Sequence, residues 1–244
     1  VAKARLLLLG CLALSLGLLW LSWSYQVPLM VDGIGLILFK GGIDVVFAPD
    51  SGVIDQWLIE EGDKVKAGQV LALMANQREI KAHKAGVIAE IISFAANNVE
   101  AGQSLAFISA DGDPKKDLHL VAFVSSLEGK KISAGMKVHI RPTISDSRHG
   151  YLVGTVSRLG KLPISKAGIT SLVKIPELAK YIRSQISAEP FLVMISLDHD
   201  SEHLTGYRWT KAGPNFLLDS GIIAHLSIIY EYVSPINFFV LGFK

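Results

Sequence analysis

The stretch Asp198-His-Asp-Ser-Glu-His203 has the residue types and spacing of a metal site. Two histidines four apart on one helical face can share a zinc ion, with carboxylates nearby to complete its shell. The stretch ends an alternating run and continues into Thr205-Gly206, which predicts a loop with no helical register. It reads as a polar surface turn. His83, His119, His139, His149 and His225 are dispersed and read as strand-face or turn residues. Glu60-Glu61 borders Gly62 and reads as a solvated turn rather than an acid–base pair. Gly33-Ile-Gly35 lacks the third glycine of a dinucleotide loop, and the chain has no Gly-x-Ser-x-Gly elbow or Walker loop. No nucleophile has an identifiable base and orienter. The expectation is no enzyme, with no catalytic, cofactor-binding or metal-binding residue.

The elements around these residues set the architecture. The chain has 244 residues, half of them hydrophobic, with a mean hydropathy of +0.39. Its net charge is +2 and its Lys and Arg residues are scattered, which argues against nucleic acid as a partner. The single cysteine, Cys11, rules out a disulfide framework. Leu6 to Trp23 is an uncharged apolar run of eighteen residues. As a helix it spans about 27 Å, close to the hydrocarbon thickness of a bilayer. Lys3 and Arg5 precede it and the next charge is Asp32, so the positive-inside rule leaves residues 1–5 in the cytoplasm and the bulk outside. Trp20, Trp23 and Tyr25 sit where an aromatic belt belongs. A cleaved signal would exit through small residues rather than Trp-Leu-Ser-Trp-Ser-Tyr. Leu8-Leu9-Gly10-Cys11 is similar to a lipoprotein processing site, but about five apolar residues precede the cysteine where a signal core needs roughly seven. The expectation is an uncleaved single-pass anchor over 6–24.

An internal repeat follows. Residues 51–74 align with 85–108 at a constant offset of 34, without a gap. Gly52 matches Gly86, Ile54 matches Ile88, and Val65 matches Val99. Ala67-Gly68-Gln69 matches Ala101-Gly102-Gln103, and Leu71 matches Leu105. Each copy predicts a strand (Val53 to Ile59, Val87 to Ser93), a turn, a very short strand, a second turn at Ala-Gly-Gln, and another strand. Gly62 in the first copy and Asn97-Asn98 in the second supply residues that tolerate positive φ. One such unit is marginal in water, so the two are expected to pack as a quasi-symmetric sandwich.

The spacing from Ser51-Gly-x-Ile54 through Gly62-Asp-x-Val65 to Gly68-Gln-x-Leu71 resembles the half-motif of the biotinyl/lipoyl domain. It is similar to that of membrane fusion proteins of the HlyD type, which bridge an inner-membrane transporter to the outer membrane. In that family a long helical hairpin separates the halves. Here Ala75 to Glu79 intervenes, at most about 17 Å of extended chain, too short for such a hairpin. Carrier domains of the family hold a modified lysine in this turn. Ala75-Asn-Gln-Arg-Glu79 has none, and Lys81 and Lys84 fall in the following strand and turn, so no prosthetic group is expected.

Leu118, Leu120, Ala122 and Val124 alternate as a half-buried strand. Gly129 to Ile140 is similar to the adaptor barrel signature. Tyr151 to Arg158, Phe191 to Leu197 and Ile222 to Tyr232 read as further strands. Pro176 to Ile186 reads as one short helix, with Pro176 at its first position and Glu177 near the positive end of its dipole. The order of these parts, with Gly206-Tyr-Arg-Trp209, resembles the adaptors of NHLM-type bacteriocin export systems. Tyr207 and Trp209 are read as the plug of one barrel end in preference to a partner anchor.

The expected fold class is mainly β: an N-terminal transmembrane helix (6–24), a biotinyl/lipoyl-like sandwich (47–110), and an adaptor-type barrel (111–244) with a helix near 176–186. Residues 25–46 are expected as connecting strands that pair with the barrel. The resemblance implies a non-enzymatic periplasmic adaptor in a bacterial inner membrane, docking to an ABC-type peptide exporter and associating with copies of itself. The alternative is a structural subunit of a larger inner-membrane complex that exports nothing. The missing hairpin separates the two.

Overall fold

The computed structural model describes residues 26–186 and 189–234, together with Gly10 and Gly17. The expected anchor over 6–24 lies, but for those two glycines, outside the described residues. Among the described residues no helix is long and apolar enough to cross a membrane.

The repeat folds as a two-sheet sandwich. Its strands are β2 (Ile43–Phe47), β3 (Gly52–Trp57), β4 (Lys64–Val65), β5 (Val70–Met74), β6 (Glu79–Lys81), β7 (Gly86–Ile91), β8 (Asn98–Val99) and β9 (Ser104–Ser109). One sheet has the order β2-β9-β7-β4 and the other β6-β5-β3-β8. Each half therefore lends its short strand to the other half's sheet. The backbone bonds come in pairs offset by 34. Gly68 N donates to Ala82 O at 2.8 Å and Gly102 N to Ala48 O at 2.9 Å; Gly62 N donates to Ile88 O and Ala96 N to Ile54 O, both at 2.8 Å. The side chains of Gln69 and Gln103 accept from Lys66 N and Glu100 N, both at 2.9 Å, which explains a glutamine at both turns. Between the sheets lie Val46, Ile54, Leu71, Ile80, Ile88 and Leu105.

These pairings correct two expectations. Ile43–Phe47 pairs with β9 in the sandwich and not with the barrel. Its buried Val46 and Ala48 sit 34 residues before the buried Ile80 and Ala82, so the repeat begins ahead of its first conspicuous glycine. The positive φ of the second copy falls on Ala96 (φ 67), the counterpart of Gly62 (φ 92), rather than on Asn97 or Asn98. The hydrogen-bond geometry at that position demands a left-handed residue whatever its side chain.

The remaining strands close a six-stranded antiparallel barrel in the order β1-β10-β13-β12-β11-β14. They are β1 (Val27–Phe39), β10 (Leu118–Ser125), β11 (Lys137–Pro142), β12 (Leu152–Pro163), β13 (Pro190–Leu197) and β14 (Ile222–Val233). Leu118, Leu120, Ala122 and Val124 face the interior with Val138, Ile140, Val193, Ile195 and Leu226. Gly33 and Gly35 let β1 approach β10 closely: a Cβ on Gly35 would lie 2.7 Å from Val121 O. That packing, not nucleotide binding, accounts for the Gly-x-Gly. Beyond the barrel wall, β1 and β14 continue as a two-stranded ribbon to the pair Val27 and Val233.

Among the described residues from 26 to 234 three helices occur: the single turn α1 (Ser126–Gly129), α2 (Lys166–Val173) and α3 (Pro176–Ser184). The expectation of one helix near 176–186 is thus corrected by α1 and α2. Ser165 caps α2 by accepting from Gly168 N at 3.2 Å, and Pro176 opens α3. The α2–α3 pair covers the outer face of β1 and β10, burying Ile34 and Phe123 with Ile169, Ala179 and Ile182. Burial of each large side chain there contributes about 1.5–3 kcal/mol. It also makes β10 buried on both faces instead of half-buried.

The chain crosses between the two bodies twice, and the crossings bond to each other: Lys40 N donates to Asp117 O at 2.9 Å and Ala110 N to Gly42 O at 3.0 Å. A third link joins Lys174, between α2 and α3, to Asp44 of β2 at 3.2 Å. Ile43 of the sandwich also packs on the apolar patch of Leu36, Leu38 and Val121 beneath the helices.

Candidate interaction surfaces

At the tip of the sandwich the halves are joined by a tight turn. Gln77 N donates to Met74 O at 2.8 Å, Met74 N to Arg78 O at 2.9 Å, and Gln77 takes φ 60. Arg78 is tied to Asp50 by an ion pair. A biotinyl or lipoyl group is held through an amide on a lysine Nζ, and the turn presents Ala75, Asn76, Gln77 and Arg78. Lys81 lies in β6 and pairs with Glu79 at 2.7 Å. The residues present do not fit the group.

The Asp198–His203 stretch is a loop whose side chains are engaged within the fold. Thr155 donates to Asp198 Oδ1 at 2.9 Å and Lys137 to Oδ2 at 2.8 Å. Burial alone would raise the Asp198 pKa; these two hydrogen bonds, together with the charges of Lys137 and Arg208, outweigh it and hold it below the usual carboxylate range. His203 Nε2 lies 2.7 Å from Ala212 O and donates to it, while Nδ1 faces the Thr205 hydroxyl at 2.8 Å. Thr205 Oγ1 in turn accepts from Trp209 Nε1 at 3.1 Å. His203 therefore latches the loop that carries Tyr207 and Trp209. Among the described residues no group of three His, Cys, Asp or Glu side chains could hold a metal ion.

Tyr207 is fully buried and Trp209 nearly so, both in the barrel core. The Tyr207 hydroxyl accepts from Leu118 N at 3.0 Å, which ties the plug to the first residue of β10. Burial pushes this phenol up to about 12. Sequence reasoning placed the plug but missed its latch, because a His–Thr–Trp contact inside a loop leaves no periodic signal.

Beside the helices the barrel wall turns polar over β14 and β11. Register aligns Asp32, Ser227 and His139 across β1, β14 and β11, and Ile34, His225 and Arg141 in the next outward row. Ser227 donates to Asp32 at 2.7 Å, and His139 stacks on Tyr151 with centroids 5.5 Å apart at 14°. A groove of about 360 Å³ runs between these side chains. Burial lowers the His139 pKa, so the ring is neutral at neutral pH. With the serine proton given to a surface carboxylate rather than to an imidazole, the set presents donors and acceptors on a rigid sheet and suits recognition.

Comparison with known proteins agrees with this geometry. Residues 44–108 match the biotin/lipoyl family described as "Biotin-requiring enzyme". No curated protein sequence matches the chain. Among solved structures, the chain is similar to a MacA–MexA chimeric protein containing the Pseudomonas aeruginosa MexA α-hairpin domain: TM-score 0.55, 10% identity, 86% of this chain and 84% of that one. MacA from Actinobacillus actinomycetemcomitans aligns with TM-score 0.54 at 12% identity, over 86% of this chain and 81% of that one. ZneB from Cupriavidus metallidurans aligns with TM-score 0.51 at 10% identity, over 85% and 100%. At these identities the likeness is one of fold.

Proposed function

We propose that this chain, built on the fold of membrane fusion proteins, does their kind of work. It is a non-enzymatic periplasmic adaptor held in a bacterial inner membrane by residues 6–24. It docks to an inner-membrane transporter, an ABC-type peptide exporter, and associates with copies of itself. The observation that carries this reading is the nesting of the sandwich between two barrel strands, β1 and β10, with a tip turn that has no lysine to load. Such a body offers surfaces rather than chemistry, and the polar wall around His139, Arg141 and Tyr151 is the contact face it leaves uncovered.

The turn at 75–78 supports a second reading, because a sandwich without a projecting hairpin does not extend toward an outer membrane. In that reading the chain is a structural subunit of an inner-membrane complex that exports nothing. Purification from native membranes in mild detergent, followed by mass spectrometry, separates the two. A co-purifying peptide-transporter ATPase is the expected result. Its reproducible absence beside other stoichiometric membrane subunits would favour the second reading.

A further inference from the structure

The end of the barrel from which the β1/β14 ribbon emerges has an unusual surface. In an antiparallel barrel, strand ends that pair with the same neighbour lie at the same level. Ser125 pairs with Pro190 and Pro163 with Phe191, so β10 and β12 finish together beside the start of β13. Gly33 pairs with Val124 and Val138 with Ile228, so the ribbon (27–30 with 229–233) projects past this same end. The two most exposed large apolar side chains among the described residues are here: Leu127 at 82% and Leu162 at 78%. Tyr232 of the ribbon, at 56%, is fourth. Only Phe94 of the sandwich comes between them.

The segments carrying the two leucines, α1 with the turn after it and the end of β12 with the start of α2, are basic. Residues 126–136 and 158–168 hold Lys130, Lys131, Arg158, Lys161 and Lys166 against Glu128 alone. Glu189 and Glu231 also face this end. Lys131 lies 5.0 Å from the Tyr230 ring centroid, which binds one of these segments to the ribbon. The strands of the ribbon lead into the two apolar stretches that flank the described fold, Leu6 to Trp23 and Pro235 to Phe243.

From this we infer that the ribbon end of the barrel rests on the membrane: Leu127 and Leu162 dip into the interface of an anionic lipid surface while the surrounding lysines and arginine meet its phosphates. Isolated exposed leucines at one end of the barrel, among cations, match the chemistry of an interfacial anchor, in which a little apolar burial adds to electrostatic attraction. A protein-docking patch would instead be contiguous and depleted of lysine at its centre. The inference rests on the reading of residues 6–24 as a membrane anchor. It adds a second contact that would fix the tilt of the barrel over the bilayer.

The test uses the full chain with Cys11 replaced by serine, reconstituted in vesicles with and without phosphatidylglycerol. An environment-sensitive NBD label is placed at Leu127→Cys, Leu162→Cys or, as a control at the sandwich tip, Asn76→Cys. The expected result is blue-shifted emission and strong quenching by lipid-borne nitroxide at 127 and 162, none at 76, and loss of that quenching without anionic lipid or after Lys130, Lys131, Lys161 and Lys166 are changed to Gln. Labels at 127 and 162 that iodide quenches from the water as readily as at 76 would overturn the inference, as would labels shielded from both quenchers by the chain's own residues. Carbonate-resistant flotation of the same vesicles reports the anchor separately. A chain that floats with water-exposed labels refutes the rim contact alone, whereas one that does not float refutes the anchor and the rim together.

Discussion

The sandwich repeats one set of turns twice, whereas the barrel repeats nothing and pairs Val27 with Val233 across nearly the whole chain. In the sandwich the turn bonds at Gly62, Gly68 and Gln69 have counterparts 34 residues away, at Ala96, Gly102 and Gln103, so a defect in one half can be measured against the same defect in the other. In the barrel each contact is unique, and closure depends on a plug held by a few hydrogen bonds. Duplicated local chemistry gives a fold with internal controls. Long-range closure gives one with single points of failure.

The largest effect is expected at the plug. Tyr207→Ala should cost about 4 kcal/mol by urea unfolding in detergent, since a buried aromatic is lost and the space it leaves does not collapse. Tyr207→Phe keeps the packing but leaves Leu118 N without a partner, for about 1–2 kcal/mol. The phenol also predicts an alkaline signature. Because its pKa rises from the usual 10.0 to about 12 in the fold, the unfolded chain ionises first. The stabilisation is whole below pH 10 and is lost as pH rises through the folded value. The Phe variant should lack that alkaline loss, and an identical pH profile for both proteins would remove the hydroxyl from the account.

The glycines that open the two strands of the repeat test how far the symmetry goes. A Cβ on Gly86 would fall 2.2 Å from Ser109 O, while on Gly52 its nearest neighbour is the flexible end of Met74 at 3.1 Å. Gly86→Ala should therefore cost about 3 kcal/mol and Gly52→Ala less than about 1 kcal/mol. Equal losses would mean that the two environments are more alike than the geometry shows.

Smaller and of opposite sign is the pair at the left-handed turn. Ala96→Gly should stabilise by about 1 kcal/mol and Gly62→Ala should destabilise by a similar amount, because only glycine takes positive φ without strain. Gln69→Ala and Gln103→Ala should match each other at about 1 kcal/mol, one turn hydrogen bond apiece. A large disparity between them would break the symmetry at its best-matched position.

The smallest effect is at the barrel wall. The pKa of Asp198 is held below its ordinary 3.8, so its contribution is present at neutral pH and fades as pH falls through the lowered folded value. Asp198→Asn should lower the neutral-pH stability by no more than about 1 kcal/mol, the scale of a partly exposed pair, and should reduce the acid loss. Thermal unfolding at both pH limits checks it, and an unchanged acid loss would assign that loss to other groups.

What was legible in the sequence follows the same division. The sandwich could be read because glycine, glutamine and branched residues recur at fixed spacing, each with a local reason. Ile43–Phe47 escaped because Phe47 and Lys81 occupy matching positions with dissimilar side chains, which hides the first strand of the repeat. The α2 helix escaped because Gly168, Thr170 and Ser171 are weak helix formers. It forms because Ile169 and Val173 are buried on the barrel beside Phe123, a tertiary cause. Barrel strands could be recognised by alternation, but their partners are remote and alternation does not say which strand meets which. The polar wall was invisible for that reason: Asp32, His139 and Ser227 become neighbours only through register.

The exchange of β4 and β8 between the sheets has an evolutionary edge. A gene duplication usually frees one copy to drift, but here neither half-sandwich can diverge alone, since β4 needs the edge of β7 and β8 needs the edge of β3. The two copies act as each other's selective environment, while the self-contained turn between them stays open to insertion.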